Sequence, residues 1–184
     1  MSEEMIVKNG APTLAGLKSG NLFSCPCASR SRLTAELAAA NRVLTKKGLR
    51  VIWLRLRQGR ALIYLYRPEL LRRDLARPEA ARLLREAGYD APDPRKCLAE
   101  LIRRLRRGGP FPHEIGLFLG YPVEDVRGFM EQGADKSRYS GLWQVYGDVE
   151  QARCLFAAYK SCTARCLHCY NSGTPLEALA VALN

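Results

Sequence analysis

Two apolar runs, LRVIWLRL over 49–56 and ALIYLY over 61–66, alternate in register on either side of the short turn RQGR. Side chains of an extended chain point to opposite faces at successive residues, so such alternation requires strands with one covered face. Two such runs joined by a few turn residues require an antiparallel hairpin, and its tip here is basic. The hairpin constrains the fold more than any other feature, because a two-stranded ribbon is marginal in water until further elements cover it.

The rest of the chain offers mostly helices. Ser31 is placed to cap a helix reaching about Lys47, with Leu33, Leu37, Ala40 and Leu44 on one side and Gly48 as its stop. Pro68 and Pro78 each sit where a first helical turn begins, and Gly88 closes the second of these short helices. Over 93–107, Cys97, Leu98, Leu101, Ile102 and Leu105 recur at helical spacing, while Arg103, Arg104, Arg106 and Arg107 point elsewhere. Residues 10–23 read as a short helix and a loop, and CPC at 25–27 as a tight turn. LWQVY at 142–146 reads as a third strand completing the sheet. Asp148 then caps a long helix, and a last short helix begins near Pro175. The expected class is α+β: a small antiparallel sheet (hairpin 49–66 plus a strand near 142–146) covered by helices, in a single domain over 1–184.

Composition narrows the setting. At 184 residues, 47% apolar and 26% charged, the chain is expected to bury one ordinary core. Glu3 and Glu4 stand where a secretory leader would be basic, and no run approaches the roughly 18–20 apolar residues of a membrane span. A cytoplasmic protein is therefore expected, and its seven cysteines read as thiols or metal ligands rather than a disulfide frame. The net charge of +11 is concentrated between 50 and 107. It permits nucleic acid, anionic lipid or an acidic protein as partner and selects none of them, and the solvated faces of arginine-rich helices are the favoured reading.

Residues 111–130 read FPHEIGLFLGYPVEDVRGFM, preceded by PTLAGLKSGNLF at 12–23 and followed by GLWQVYGDVEQA at 141–152 and YKSC at 159–162. On these blocks the chain resembles the uncharacterised family catalogued as domain of unknown function 3793. The resemblance implies an iron or redox setting in an anaerobe and no particular reaction. Family members often carry a cysteine just before the APTLAGLK stretch, where this chain has Gly10. The block itself reads as a helix-turn-helix-like pair at 112–130, but Glu124 and Asp125 would face phosphate at the groove-entering end with only Arg127 to compensate. His113 and Glu114 start a helix, where a carboxylate caps. Alternatively His113 is a metal ligand or general base oriented by Glu114, although neighbours on a helix diverge by about 100°. HExxH is absent, since position 117 is leucine.

Cys162, Cys166 and Cys169 form a CxxxCxxC run spelled like the cluster loop of radical S-adenosylmethionine enzymes, where three thiolates hold a [4Fe-4S] cluster. That loop opens a barrel, whereas here only 15 residues follow Cys169. Counted from Cys154 at about 100° per residue, the three lie near 80°, 120° and 60°, on the side of Leu155 and Tyr159. Core packing is the favoured reading of these three, and iron or zinc binding, with Cys25 and Cys27 as further thiolates, is the alternative. A cysteine nucleophile with His113 as base lacks an evident oxyanion loop. Lys18 and Asn21, at a glycine-rich turn, are candidate ligand contacts, as are His113, Glu114, Trp143 and Tyr146. The leading reading is a non-catalytic binding or accessory protein linked to iron or redox physiology. The alternatives are a nucleic-acid-binding protein and a cysteine-dependent hydrolase or transferase.

Overall fold

The computed structural model describes residues 2–90 and 93–183, in two compact units, Met1–Leu70 with Tyr159–Asn184 and Leu71–Ala158. In chain order the elements are α1 (Glu3–Leu14), β1 (Gly20–Pro26), α2 (Arg30–Leu44), β2 (Arg50–Arg57), β3 (Arg60–Tyr66), α3 (Pro68–Leu75), α4 (Pro78–Glu86) and α5 (Pro94–Arg107). They continue with α6 (Ile115–Phe118), α7 (Val123–Gln132), β4 (Tyr139–Ser140), β5 (Gln144–Val145), α8 (Val149–Asn171) and α9 (Leu176–Leu179). The class is α+β, and the unit boundaries fall inside α3 and α8.

The hairpin forms as its alternation requires. Gln58 and Gly59 at its tip have φ of 50° and 67°, the left-handed pair whose twist matches the flanking strands. β2 and β3 pair antiparallel, with a register shift between Trp53 and Arg55. The sheet order is β1-β3-β2, so its third strand is Gly20–Pro26 and not the segment near 142–146. Gly, Asn, Ser and Pro make that strand read as a loop. As an edge strand, however, it needs only one bonded side, and Pro26 lies at its end, where a missing N–H costs little. Phe23 and Cys25 alternate into the core opposite Ile63 and Ala61. Of LWQVY, only Gln144–Val145 is extended, paired with Tyr139–Ser140 in a separate ladder.

In the first unit, α1, α2 and α9 cover one sheet face. Ile6, Val7, Leu14, Leu33, Leu37, Leu44 and Leu176 pack on Val51, Ile63 and Leu65, each contributing on the order of 1.5–3 kcal/mol by burial. Gly10 permits the close approach of α1 to β3, since a Cβ there would collide with the Leu65 methyl. The helix α2 begins two residues earlier than expected: Ser29, not Ser31, accepts the Arg32 N–H at 3.4 Å, and Ser31 bonds the Ser29 hydroxyl. Asn41 accepts from the Val51 N–H at 3.0 Å and donates to its carbonyl at 2.7 Å, which satisfies one residue of the exposed β2 edge and pins its register.

Arg67, just after β3, is almost completely buried. Its guanidinium donates to the carbonyls of Thr13 (2.7 Å), Leu14 (2.6 Å), Val181 (2.7 Å) and Lys47 (3.1 Å). Two of these are terminal carbonyls of α1, the negative end of its dipole, so a carboxylate is not needed to hold the cation.

The second unit is helical around the β4–β5 ladder. Pro68, Pro78 and Asp93 start α3, α4 and α5 where expected. The helix-turn-helix-like pair exists, but its first member, α6, is a single turn that packs on α7 through Gly116 against Val126. Among the described residues no helix is long and apolar enough to cross a membrane.

Arg67→Met should lower stability by about 3 kcal/mol or more, because several buried carbonyls lose their donor together. Arg67→Lys should recover part of it. Urea unfolding at neutral pH measures both, and a loss below about 1 kcal/mol would show that those carbonyls find water instead.

Candidate functional site

His113, Glu114, Trp143 and Tyr146 belong to the second unit; Lys18, Asn21 and Cys25, Cys27, Cys162, Cys166 and Cys169 belong to the first. Glu114 neither caps α6 nor orients His113. Its buried carboxylate accepts from Tyr89 Oη at 2.8 Å and Arg104 Nη1 at 3.1 Å, and Arg104 lies 4.1 Å over the Tyr89 ring. Burial first, and the Glu114 charge second, push the Tyr89 hydroxyl far above its ordinary range. His113 turns the other way, to the surface, with ring centroids of Phe111 and Phe129 at 5.8 and 4.8 Å.

Asp125 is not at a groove-entering surface. It is buried and accepts from Trp143 Nε1 (2.7 Å) and from the Tyr146 and Gly147 N–H groups (2.7 and 2.9 Å). The Trp143 ring stacks on Tyr121 at 4.5 Å and meets Phe156 edge-on at 4.4 Å. The Tyr146 hydroxyl donates to the Gly133 carbonyl, and its ring fills the space that Gly128 leaves. These polar groups therefore bind one another. Nothing in the sequence marks Asp125 as a buried acceptor; its signal is a carboxylate two residues inside a helix followed about twenty residues later by an indole.

In the first unit Asn21 Oδ1 accepts from Thr13 Oγ1 at 2.6 Å. Lys18 is buried, with its Nζ 5.6 Å from the Tyr159 ring centre, and burial pulls its pKa from 10.5 to about 8. The adjacent Ser19 hydroxyl is buried and has no hydrogen-bond partner among the described residues.

The thiols divide by environment. Cys25 lies in the core on β1 and Cys97 is buried on α5, and burial raises both thiol pKa values. Cys27 follows two residues after Cys25, so it also borders the core, and it bonds the Ser29 carbonyl at 3.5 Å. It opens on a cleft of about 220 Å³ at the start of α2, lined also by Ser29, Arg32, Leu33 and Glu36. No histidine lines that cleft among the described residues. On α8, Cys154 and Cys169 are exposed while Cys162 and Cys166 are half-buried, so the helix does not bury its sulfur face as core. Cys166 packs against the same apolar cluster as Cys27, and burial first, with the neighbouring Cys166 next, raises the Cys162 thiol pKa to about 11. Among the described residues no three His, Cys, Asp or Glu side chains converge as a metal site.

The positive charge is unevenly shared. The first unit holds 14 Lys and Arg against 5 Asp and Glu, a net of +9, while the second holds 15 against 13, a net of +2. Many arginines and lysines of 71–107 are paired within the second unit: Arg77 with Asp74, Arg82 with Glu86, Lys96 with Asp90, and Arg103 and Arg104 with Glu100. By contrast, among the described residues Arg50, Arg55, Arg57 and Arg60 on the hairpin form no ion pair, and Arg30 lies 5.1 Å over the Trp53 ring beside them.

The family model DUF3793, described as a protein of unknown function, matches residues 6–180. The chain belongs to that family. No curated protein and no solved structure matches it.

Lys18 gives a pH signature. Above about pH 10.5 its amine is neutral folded and unfolded. As pH falls toward 8 the unfolded chain gains a proton that the fold resists, so stability declines through that window and the full penalty, on the order of 3 kcal/mol, persists below it. Lys18→Met should therefore be the more stable protein at pH 7, with an advantage that shrinks toward zero between pH 8 and 10.5. Urea unfolding across that range tests it; a pH-independent advantage would trace the gain to packing.

Proposed function

We propose that the protein is a cytoplasmic, non-catalytic binding protein that engages the phosphate backbone of nucleic acid through the hairpin end of its first unit. The observation that carries this reading is the run of hairpin arginines, Arg50, Arg55, Arg57 and Arg60, left without carboxylate partners in a unit of net +9. Counterion release makes unneutralised guanidinium groups favourable phosphate contacts, and the Arg30–Trp53 stack offers a planar surface beside them. Seven free thiols fit a reducing compartment. The helix pair is a poor reader of a groove, because the exposed Glu124 opens α7, and Arg127 is drawn to Glu86 at 3.6 Å and Glu131 at 4.0 Å. A cysteine-based hydrolase finds no support at Cys27, whose cleft holds no histidine among the described residues.

The iron- or zinc-linked reading keeps one supporting observation, that Cys27 and Cys166 border one apolar cluster with Cys25 inside it. Protein purified anaerobically should carry iron or zinc above trace if that reading holds.

Fluorescence anisotropy with labelled single-stranded and duplex oligonucleotides at low salt tests the nucleic-acid reading. Each of Arg55→Ala, Arg57→Ala and Arg60→Ala should reduce the slope of log affinity against log salt by about 1, while Arg127→Ala leaves it unchanged. No binding at low salt, or loss with Arg127→Ala alone, would overturn the hairpin assignment.

A further inference from the structure

We infer that Ser24 is a positioning residue that holds the Arg60 guanidinium, at the hairpin tip, as a preformed clamp for one phosphate group. This deepens the nucleic-acid reading and rests on it for the source of that phosphate.

The register of the ladder sets the geometry. Phe23 and Cys25 of β1, like Ala61 and Ile63 of β3, turn into the core. Residues that alternate with them therefore lie on the other face of the sheet. On that face Leu62 is opposite both Ser24 and Arg55, and Arg57 is opposite Arg60. Ser24 and Arg60 are thus diagonal neighbours, because Arg60 pairs with Pro26, and a long side chain spans such a separation. Arg60 does so: its Nε donates to Ser24 Oγ at 3.0 Å and its Nη2 to the Ser24 carbonyl at 3.3 Å.

Those two bonds occupy one edge of the guanidinium. The group carries five N–H donors in a rigid fork. Its far edge, made by Nη1 and the second N–H of Nη2, keeps the pair of parallel donors that takes two phosphate oxygens side by side. Arg60 and Ser24 are both exposed, so a ligand reaches that edge from solvent. An arginine already held in place loses less side-chain freedom on binding than one that is ordered only by its ligand.

A second observation points to an anion here. Arg57 and Arg60 are directly opposite one another where the hairpin closes on Gln58 and Gly59, and like charges so placed are destabilising. Arg55 adds a third cation on the same face, and among the described residues none of the three has a carboxylate partner. A phosphate on the open edge of Arg60 offsets this repulsion and leaves Arg57 for the next phosphate of the same strand.

Fluorescence anisotropy of the full chain with a labelled single-stranded oligonucleotide tests the clamp. Ser24→Ala should weaken binding by about 2- to 10-fold, the effect of one lost side-chain hydrogen bond. The slope of log affinity against log salt should not change, because no charge is removed. Ser24→Thr, which keeps the hydroxyl, should restore the parent affinity. In an Arg60→Ala background Ser24→Ala should have no further effect, since it acts only through Arg60. Parent affinity in Ser24→Ala, an altered slope, or an equal loss in both backgrounds would each overturn the clamp while leaving the hairpin reading intact. A chain that binds no oligonucleotide defeats the nucleic-acid reading, and the clamp is then decided by the Arg60 Nε–H resonance during titration with inorganic pyrophosphate. A shift that Ser24→Ala abolishes upholds the phosphate site, and an unmoved resonance overturns it.

Discussion

The first unit depends on one buried cation. Arg67 leaves the end of β3 and reaches carbonyls from the last turn of α1, from Lys47 ahead of β2 and from Val181 beyond α9. Those segments come from distant parts of the chain, and the fork of the guanidinium reaches all of them at once. A helix end buried without donors would leave orphan carbonyls, each costing on the order of 1–3 kcal/mol. The fork of N–H groups removes that cost and ties the end of α1 and the segment after α9 to the end of β3.

The second unit uses carboxylates in the complementary way. Asp125 gathers an indole N–H and two backbone N–H groups, and Glu114 gathers a phenol and a guanidinium. Both sit in the stretch that looks most like a functional motif, yet each is spent on holding its own surroundings. Buried carboxylates with a full set of donors are rigid and poorly reactive, so the long HEIGLFLGYPVED block is an architectural feature first. The charge left without a carboxylate partner among the described residues lies elsewhere, on the hairpin arginines, and the accessible thiols lie along α8.

Much of the fold was legible because local physics dictated it. The hairpin followed from period-two alternation, the helix starts at Pro68, Pro78 and Asp93 from φ restriction and capping, and the divergence of His113 from Glu114 from helix geometry. The third strand was not legible, because GNLFSCP has the composition of a loop and becomes extended only where β3 presents an open edge. The functional roles of Arg67, Asn41 and Asp125 were equally silent, since each acts on backbone groups far away in sequence. For the thiols, angular periodicity put Cys162, Cys166 and Cys169 on one side of a helix but left open whether that side was covered.

Taken alone, the sequence determined the α+β class, the hairpin and its tip, most helix starts and the family, since these rest on spacing, propensity and local sterics within a few residues. Only the tertiary structure decided which strand completes the sheet, which charges are neutralised and which sulfurs remain accessible. Those outcomes depend on what is brought alongside each group, and burial, pairing and solvation are properties of neighbours that the chain supplies from a distance.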